Sequence, residues 1–268
     1  MKLFTHASQR YRLRVVPIAM KLYCLPFAGA SASVYNRWTP VLSTALDLRP
    51  LELPGRGQRQ DQPFAPRLAD AAVDVARTIA ASADGAPFAI FGHSLGGVVA
   101  YEAVQVLQAA HAMAPVHLLV SGCRPPHAVA ADLGRTSDLS DDEFKIALAR
   151  LGGLPQDVLD HPRIFKKIVG VLRADYALLE TYRHERADAS PIVPCPLTAF
   201  SGREDREAPP AKMEDWARYT RQAFRQQTFD GGHFFLLEQT AAVLDSICQS
   251  LHVSMSSPAD ATGVRASS

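Results

Sequence analysis

Gly92-His93-Ser94-Leu95-Gly96 follows the apolar run Phe88-Ala89-Ile90-Phe91 and leads into the helix-like stretch Val98–Ala110. A strand, a glycine-flanked serine and a helix in that order make a nucleophile elbow, the tight turn that lifts a serine oxygen clear of a sheet. A serine hydroxyl attacks only when a base takes its proton, so the turn must present it to a partner. Gly92 and Gly96 spare the crossing of strand and helix from side-chain collisions, and the helix turns its positive end toward the serine. The backbone N–H of Leu95 then points where a developing oxyanion would sit.

The segments around the elbow carry the same alternation. Strand-like runs at Met20–Leu25, Leu46–Leu51, Phe88–Phe91, Val116–Ser121, Leu197–Ser201 and Arg225–Phe229 alternate with helical stretches. The pattern predicts an α/β fold with a mostly parallel central sheet flanked by helices. Between the second and third runs, Leu68, Ala71, Ala72, Val75, Ala76, Ile79 and Ala80 form one helical face over Leu68–Ala83. After Gly122 the alternation fails, and Pro125–Pro191 reads as a helical insertion placed to act as a lid. Within it, Ser140 and Glu143 have capping-box spacing for a helix Asp141–Leu151 that Gly152-Gly153 would stop. Pro162 suits the first turn of a second helix reaching Tyr182, with Ile164, Phe165, Ile168, Val169, Leu172, Tyr176 and Leu179 as its apolar stripe. Residues 1–253 are expected to form one domain with this insertion, and the small, polar, aperiodic 254–268 a disordered tail.

Composition narrows the function. The 268 residues are 47% hydrophobic, enough for a full core, and 28 basic against 27 acidic residues leave a net charge of +1. That balance gives no reason to expect nucleic acid as a partner. No run is long and apolar enough to span a membrane, and Met1–Arg14 lacks the apolar centre of a signal peptide, so no membrane role and a cytoplasmic location are expected. Cys24, Cys123, Cys195 and Cys248 are widely spaced and read as free thiols, not zinc ligands. Gly55-Arg56-Gly57 lacks the third glycine of a dinucleotide loop and no Walker lysine is present, so neither metal nor cofactor is expected.

In α/β-hydrolases the acid and then the histidine follow the serine along the chain. Asp205 is the first choice of acid, because Gly202-Arg203-Glu204-Asp205 leaves the carboxyl end of a strand-like run. Its neighbours Glu204 and Glu207 read as solvated loop charges. His233, in Asp230-Gly231-Gly232-His233-Phe234-Phe235, follows the last strand-like run, and its imidazole can take and return a proton near neutral pH. His93 lies in the elbow, His111 and His117 precede the acid, and His161 and His184 lie in the insertion, so each reads as a packed or exposed residue. A second oxyanion donor is expected from Leu25-Pro26-Phe27-Ala28-Gly29-Ala30-Ser31, with Ala28 N–H as first choice and Phe27 in reserve.

Taken in order, these stretches resemble the type II thioesterases, the stand-alone editing enzymes of polyketide synthases and nonribosomal peptide synthetases. The resemblance spans about Leu22 to Glu238. It is carried by Leu25–Ser31 with Trp38, Leu53-Pro54-Gly55-Arg56-Gly57, Gly92–Gly97, Ser121-Gly122-Cys123-Arg124, Leu151-Gly152-Gly153-Leu154-Pro155, Arg173-Ala174-Asp175-Tyr176 and Gly231–Phe235. It implies an α/β-hydrolase fold, a Ser94, Asp205, His233 triad, and the Pro125–Pro191 region as lid. Phe27, Tyr176 and Phe234 are the expected substrate-binding side chains. The implied substrate is an acyl group, stalled or misloaded, held by thioester on the phosphopantetheine arm of an acyl or peptidyl carrier protein. The protein is expected to be a monomer, with Lys166, Lys167 and Arg203 as candidate contacts to an acidic carrier. Two other readings stand beside this one: a hydrolase of the same fold acting on fatty acyl thioesters or oxygen esters, and a non-catalytic carrier-domain adaptor.

Overall fold

The computed structural model describes residues 19–42, 46–129, 136–151, 154, 156–184 and 192–253. The Gly152-Gly153 helix stop and the 254–268 tail lie outside these residues. Six strands, β1 Met20–Leu25, β2 Leu46–Pro50, β3 Phe88–His93, β4 His117–Ser121, β5 Leu197–Gly202 and β6 Phe224–Phe229, form one sheet in the order β2-β1-β3-β4-β5-β6. Every neighbouring pair is parallel. The helices, in chain order, are α1 Leu68–Ser82, α2 Leu95–His111, α3 Pro126–Val129, α4 Asp141–Leu151, α5 Gln156–Asp160, α6 Pro162–Thr181, α7 Pro210–Met213, α8 Phe235–Glu238 and α9 Thr240–Ser250.

Strand side chains alternate between the two faces of the sheet. Tyr23, Leu25, Phe88, Ile90, Leu118 and Val120 join α1 and α2 in one buried core, to which Phe165, Leu172 and Tyr176 of α6 also belong. Leu22, Cys24, Ala89, Phe91, Leu119 and Phe200 join α9 and the short 3-10 turn Ala32–Trp38 in the other. Covering both faces is what makes these strands read as near-continuous apolar runs. The four cysteines are all buried as free thiols.

The elements around the elbow begin and end elsewhere than expected, and one residue of an expected stripe proves exposed. β3 runs two residues past Phe91, because Gly92 and His93 keep their register with Val120 and Ser121 of β4. α2 begins at Leu95, directly after the serine, not at Val98. In α6 the expected stripe buries Phe165, Leu172 and Tyr176, but Ile164 is exposed, since it sits in the first turn on the side away from the core. The capping box forms as expected: Glu143 N–H donates to Ser140 Oγ at 3.4 Å and Ser140 N–H to Glu143 Oε2 at 3.1 Å.

The order of the strands locates the site. Chain direction along the sheet reverses between β1 and β3, so the loops leaving their carboxyl ends diverge and open a crevice there. Those loops are 26–31 and the elbow at Ser94.

Candidate active site

Ser94 sits at φ 54, ψ −121, a conformation that an L-residue adopts only under constraint. Its surroundings supply that constraint. Ser94 N–H donates to Ser121 O at 2.8 Å and Gly97 N–H to Ser94 O at 2.9 Å. A Cβ on Gly92 would overlap the Gly96 carbonyl, and one on Gly96 would overlap the Leu25 and Pro26 carbonyls, so strand, helix and the 26–31 loop pack backbone to backbone around the serine. Leu95 opens α2, where the first N–H groups of a helix have no partner within it.

Asp205 and His233 meet across the ends of β5 and β6. Asp205 Oδ2 and His233 Nδ1 lie 2.9 Å apart, with both side chains almost wholly buried. Asp205 Oδ1 accepts from the N–H groups of Glu207 and Ala208 at 2.9 and 3.0 Å, so both carboxyl oxygens are committed. Burial pushes the Asp205 carboxyl up, but the hydrogen bond and charge of His233 and the Ala208 N–H together hold it below the usual carboxylate range. Burial pushes His233 down, and the hydrogen bond and charge of Asp205, with the charge of Glu207, more than reverse this, so the imidazole binds its proton more tightly than usual. Glu204, the nearer rival for the acid, is exposed and accepts from Gly231 N–H at 2.7 Å, tying the histidine turn to the β5 loop. His93 packs beneath the elbow with its ring 5.1 Å from His233 and its Nδ1 2.8 Å from Ser121 Oγ, and burial, with the charge of His233, pushes its imidazole well below its ordinary range.

Ser94 and His233 line one open-mouthed cavity. Leu95 and Ala28, the two expected oxyanion donors, line it as well, as do Phe27, Tyr176 and Phe234. Phe27 and Phe234 meet edge to face at 5.0 Å and form an apolar wall beside His233. Val129 of α3 and Tyr176 and Leu179 of α6 bring the Pro125–Pro191 region onto the same cavity. Such a site can deliver a serine alkoxide to an acyl carbonyl, with N–H groups at the oxyanion and a histidine to shuttle the proton.

One expectation fails. Glu207 is not a solvated loop charge: its side chain is 23% exposed, lines the cavity and places Oε2 4.0 Å from His233 Nε2. Its Oε1 is buried without a hydrogen-bond partner among the described residues. Burial pushes this carboxyl up and Asp205 adds to that, while His233 and Arg124 pull it down; the balance lies above the ordinary value.

The two longest-range motifs prove to be one device. Arg56 Nη1 donates to Asp175 Oδ2 and Nη2 to Asp175 Oδ1, each at 2.5 Å, a bidentate pair with α6 that is buried on both sides. Asp175 Oδ2 also accepts from Gly29 N–H at 2.8 Å. Gly29, at φ +78, has no room for a Cβ beneath Leu172 of α6. Helix α6, the Leu-Pro-Gly-Arg-Gly loop and the 26–31 loop are therefore pinned at one carboxylate.

Among the candidate carrier contacts, Lys166 and Lys167 are exposed on α6. Arg203 is exposed too but pairs with Asp230 at 3.1 Å. No helix among the described residues is long and apolar enough to cross a membrane.

The chain is similar to known proteins in sequence and backbone. The chain is 32% identical to the thioesterase PikA5 of Streptomyces venezuelae over 90% of its own length and 84% of that protein's. Its backbone superposes on ClbQ from the colibactin NRPS/PKS pathway with a TM-score of 0.80 at 34% identity, covering 87% of this chain and 97% of the other. BorB, the type II thioesterase of the borrelidin biosynthetic cluster, gives 0.78 at 31% identity, covering 88% and 94%. A thioesterase domain model matches residues 20–251, and the chain belongs to that family.

Proposed function

We propose that this chain is a serine thioesterase that clears stalled or misloaded acyl groups from the phosphopantetheine arm of carrier proteins in polyketide or nonribosomal peptide biosynthesis. It works in the cytoplasm as a monomer. The observation that carries this reading is a strained elbow serine opening into the same cavity as a buried Asp205–His233 pair. Membership of the thioesterase family and likeness to proteins named for such pathways support the choice of substrate.

In this mechanism His233 Nε2 takes the proton of Ser94 Oγ as the oxygen attacks the thioester carbonyl. Asp205 holds Nδ1–H and stabilises the imidazolium that forms. The oxyanion accepts from Leu95 N–H and Ala28 N–H. Collapse breaks the C–S bond, His233 returns its proton to the pantetheine sulfur, and the acyl group remains on Ser94. Water then repeats the sequence: His233 takes its proton, the hydroxyl attacks the acyl carbonyl, collapse breaks the bond to Ser94 Oγ as His233 returns the proton to that oxygen, and the free acid leaves. The helices of the Pro125–Pro191 region act as a lid, with Tyr176 and Leu179 over the acyl group.

The test is hydrolysis of one acyl group presented three ways: on a holo-carrier protein, on a short soluble thiol and as an oxygen ester. The carrier-bound thioester is expected to have the highest kcat/KM. Faster cleavage of the oxygen ester would favour a general carboxylesterase, and equal cleavage of the two thioesters would remove the carrier from the account.

A further inference from the structure

A carboxylate beside the reacting carbonyl works against an enzyme that must build negative charge there. Glu207 occupies that position. Asp205 holds Nδ1 of His233, so Nε2 faces the cavity, and Glu207 Oε2 stands 4.0 Å from it. The wall is mixed: Phe27, Val98, Val129, Leu179 and Phe234 stand beside Arg124 and Tyr176, and Glu207 is the one carboxylate among the described residues that line it, within the field of the Arg124 guanidinium. Its Oε1 is buried without a partner, which leaves a costly acceptor waiting for a donor. The Glu207 backbone is fixed by the hydrogen bond from its N–H to Asp205, so the side chain leaves from a rigid point.

We propose that Glu207 selects acyl groups bearing a protonated amine next to the thioester carbonyl, with its carboxylate accepting a hydrogen bond from that ammonium. The geometry suits such a group. In the reacting complex Ser94 Oγ must come within hydrogen-bond reach of Nε2, so an aminoacyl group held there brings its α-nitrogen into the part of the cavity that Glu207 lines. An ammonium there supplies the donor that Oε1 lacks and adds to Arg124 in offsetting the carboxylate charge beside the oxyanion. A plain acyl group does neither. The inference rests on the thioesterase reading above and narrows its substrate to aminoacyl thioesters.

Alanyl and isobutyryl thioesters of one short thiol differ only by an ammonium in place of a methyl group. Their kcat/KM ratio is measured for the natural protein and for Glu207→Gln, which keeps shape and removes charge; the intrinsic reactivity of each thioester cancels between the two proteins. The alanyl-to-isobutyryl ratio is expected to fall by about tenfold or more in the Gln variant, the scale on which a site rejects a substrate that leaves its polar group unpaired. Glu207→Asp, which retains the charge on a shorter stem, should give an intermediate ratio. A ratio unchanged within about twofold overturns the inference. So does an equal fall for both thioesters, which would make Glu207 a partner of His233 alone. Should the Gln variant fail to fold, the natural protein decides: normalised to spontaneous hydrolysis, alanyl must be preferred over isobutyryl. Hydrolysis of isobutyryl without that preference overturns only the Glu207 assignment, whereas hydrolysis of neither thioester overturns the thioesterase reading itself.

Discussion

Replacing Arg56 by methionine leaves the Asp175 carboxylate fully buried with Gly29 N–H as its remaining donor. Removing one partner of a buried, hydrogen-bonded ion pair costs about 3–5 kcal/mol, because the surviving charge stays out of water. For a chain of this size each kcal/mol moves Tm by roughly 2–4 °C, so the expected fall is roughly 6–20 °C. The loss carries a pH signature. Burial already raises the Asp175 carboxyl above its ordinary 3.8 despite Arg56, and without the guanidinium it rises further. Between the unfolded and folded values the native state binds the extra proton, so stability declines as pH rises through that window and the deficit against the natural protein narrows in acid. Thermal melts at several pH values between neutrality and about pH 5 read both quantities. Adding Asp175→Asn removes the stranded charge while an amide oxygen still accepts from Gly29, so the double variant should be more stable than Arg56→Met. A Tm loss under about 2 °C, a deficit indifferent to pH, or a double variant worse than the single one would refute the reasoning.

Two further outcomes follow from the site. Activity needs a neutral His233, and Asp205 and Glu207 raise its affinity for protons, so the acid limb of kcat/KM should lie above pH 6.5. Asp205→Asn should lower kcat by about two to four orders of magnitude and move that limb to lower pH, as pH–rate profiles of the two proteins would show. Exposed Lys166 and Lys167 are the proposed contacts to an acidic carrier, so kcat/KM for a carrier-bound acyl group should fall with added salt while the same group on a short neutral thiol changes little; identical salt responses would argue against electrostatic docking.

Much of this was legible in the chain because the relevant signals are local. Parallel strands covered on both faces read as apolar runs, and the glycines of Gly92–Gly97 announce a turn that nothing bulkier could make. Asp205 and His233 were found because each follows a strand-like run, and strand ends converge on one edge of a parallel sheet. Ile164 misled because helical spacing says which residues share a face, not how far the core reaches along it. The Arg56–Asp175 pair had no local signal, since 119 residues separate its members. Glu207 was misread because an acidic residue among Arg206 and prolines looks solvated; it is the fold that sets it in the cavity wall with Arg124, Tyr176 and His233.

The covalent state of Ser94 during turnover is the most direct measurement. Carrier-bound acyl thioester is mixed with the enzyme, quenched in acid within the first turnovers, and the protein is mass-measured and peptide-mapped. The acyl mass is expected on Ser94, and Ser94→Ala, still folded, should carry no adduct and lose several orders of magnitude in hydrolysis. An adduct on another residue, or undiminished hydrolysis by Ser94→Ala, would contradict the account.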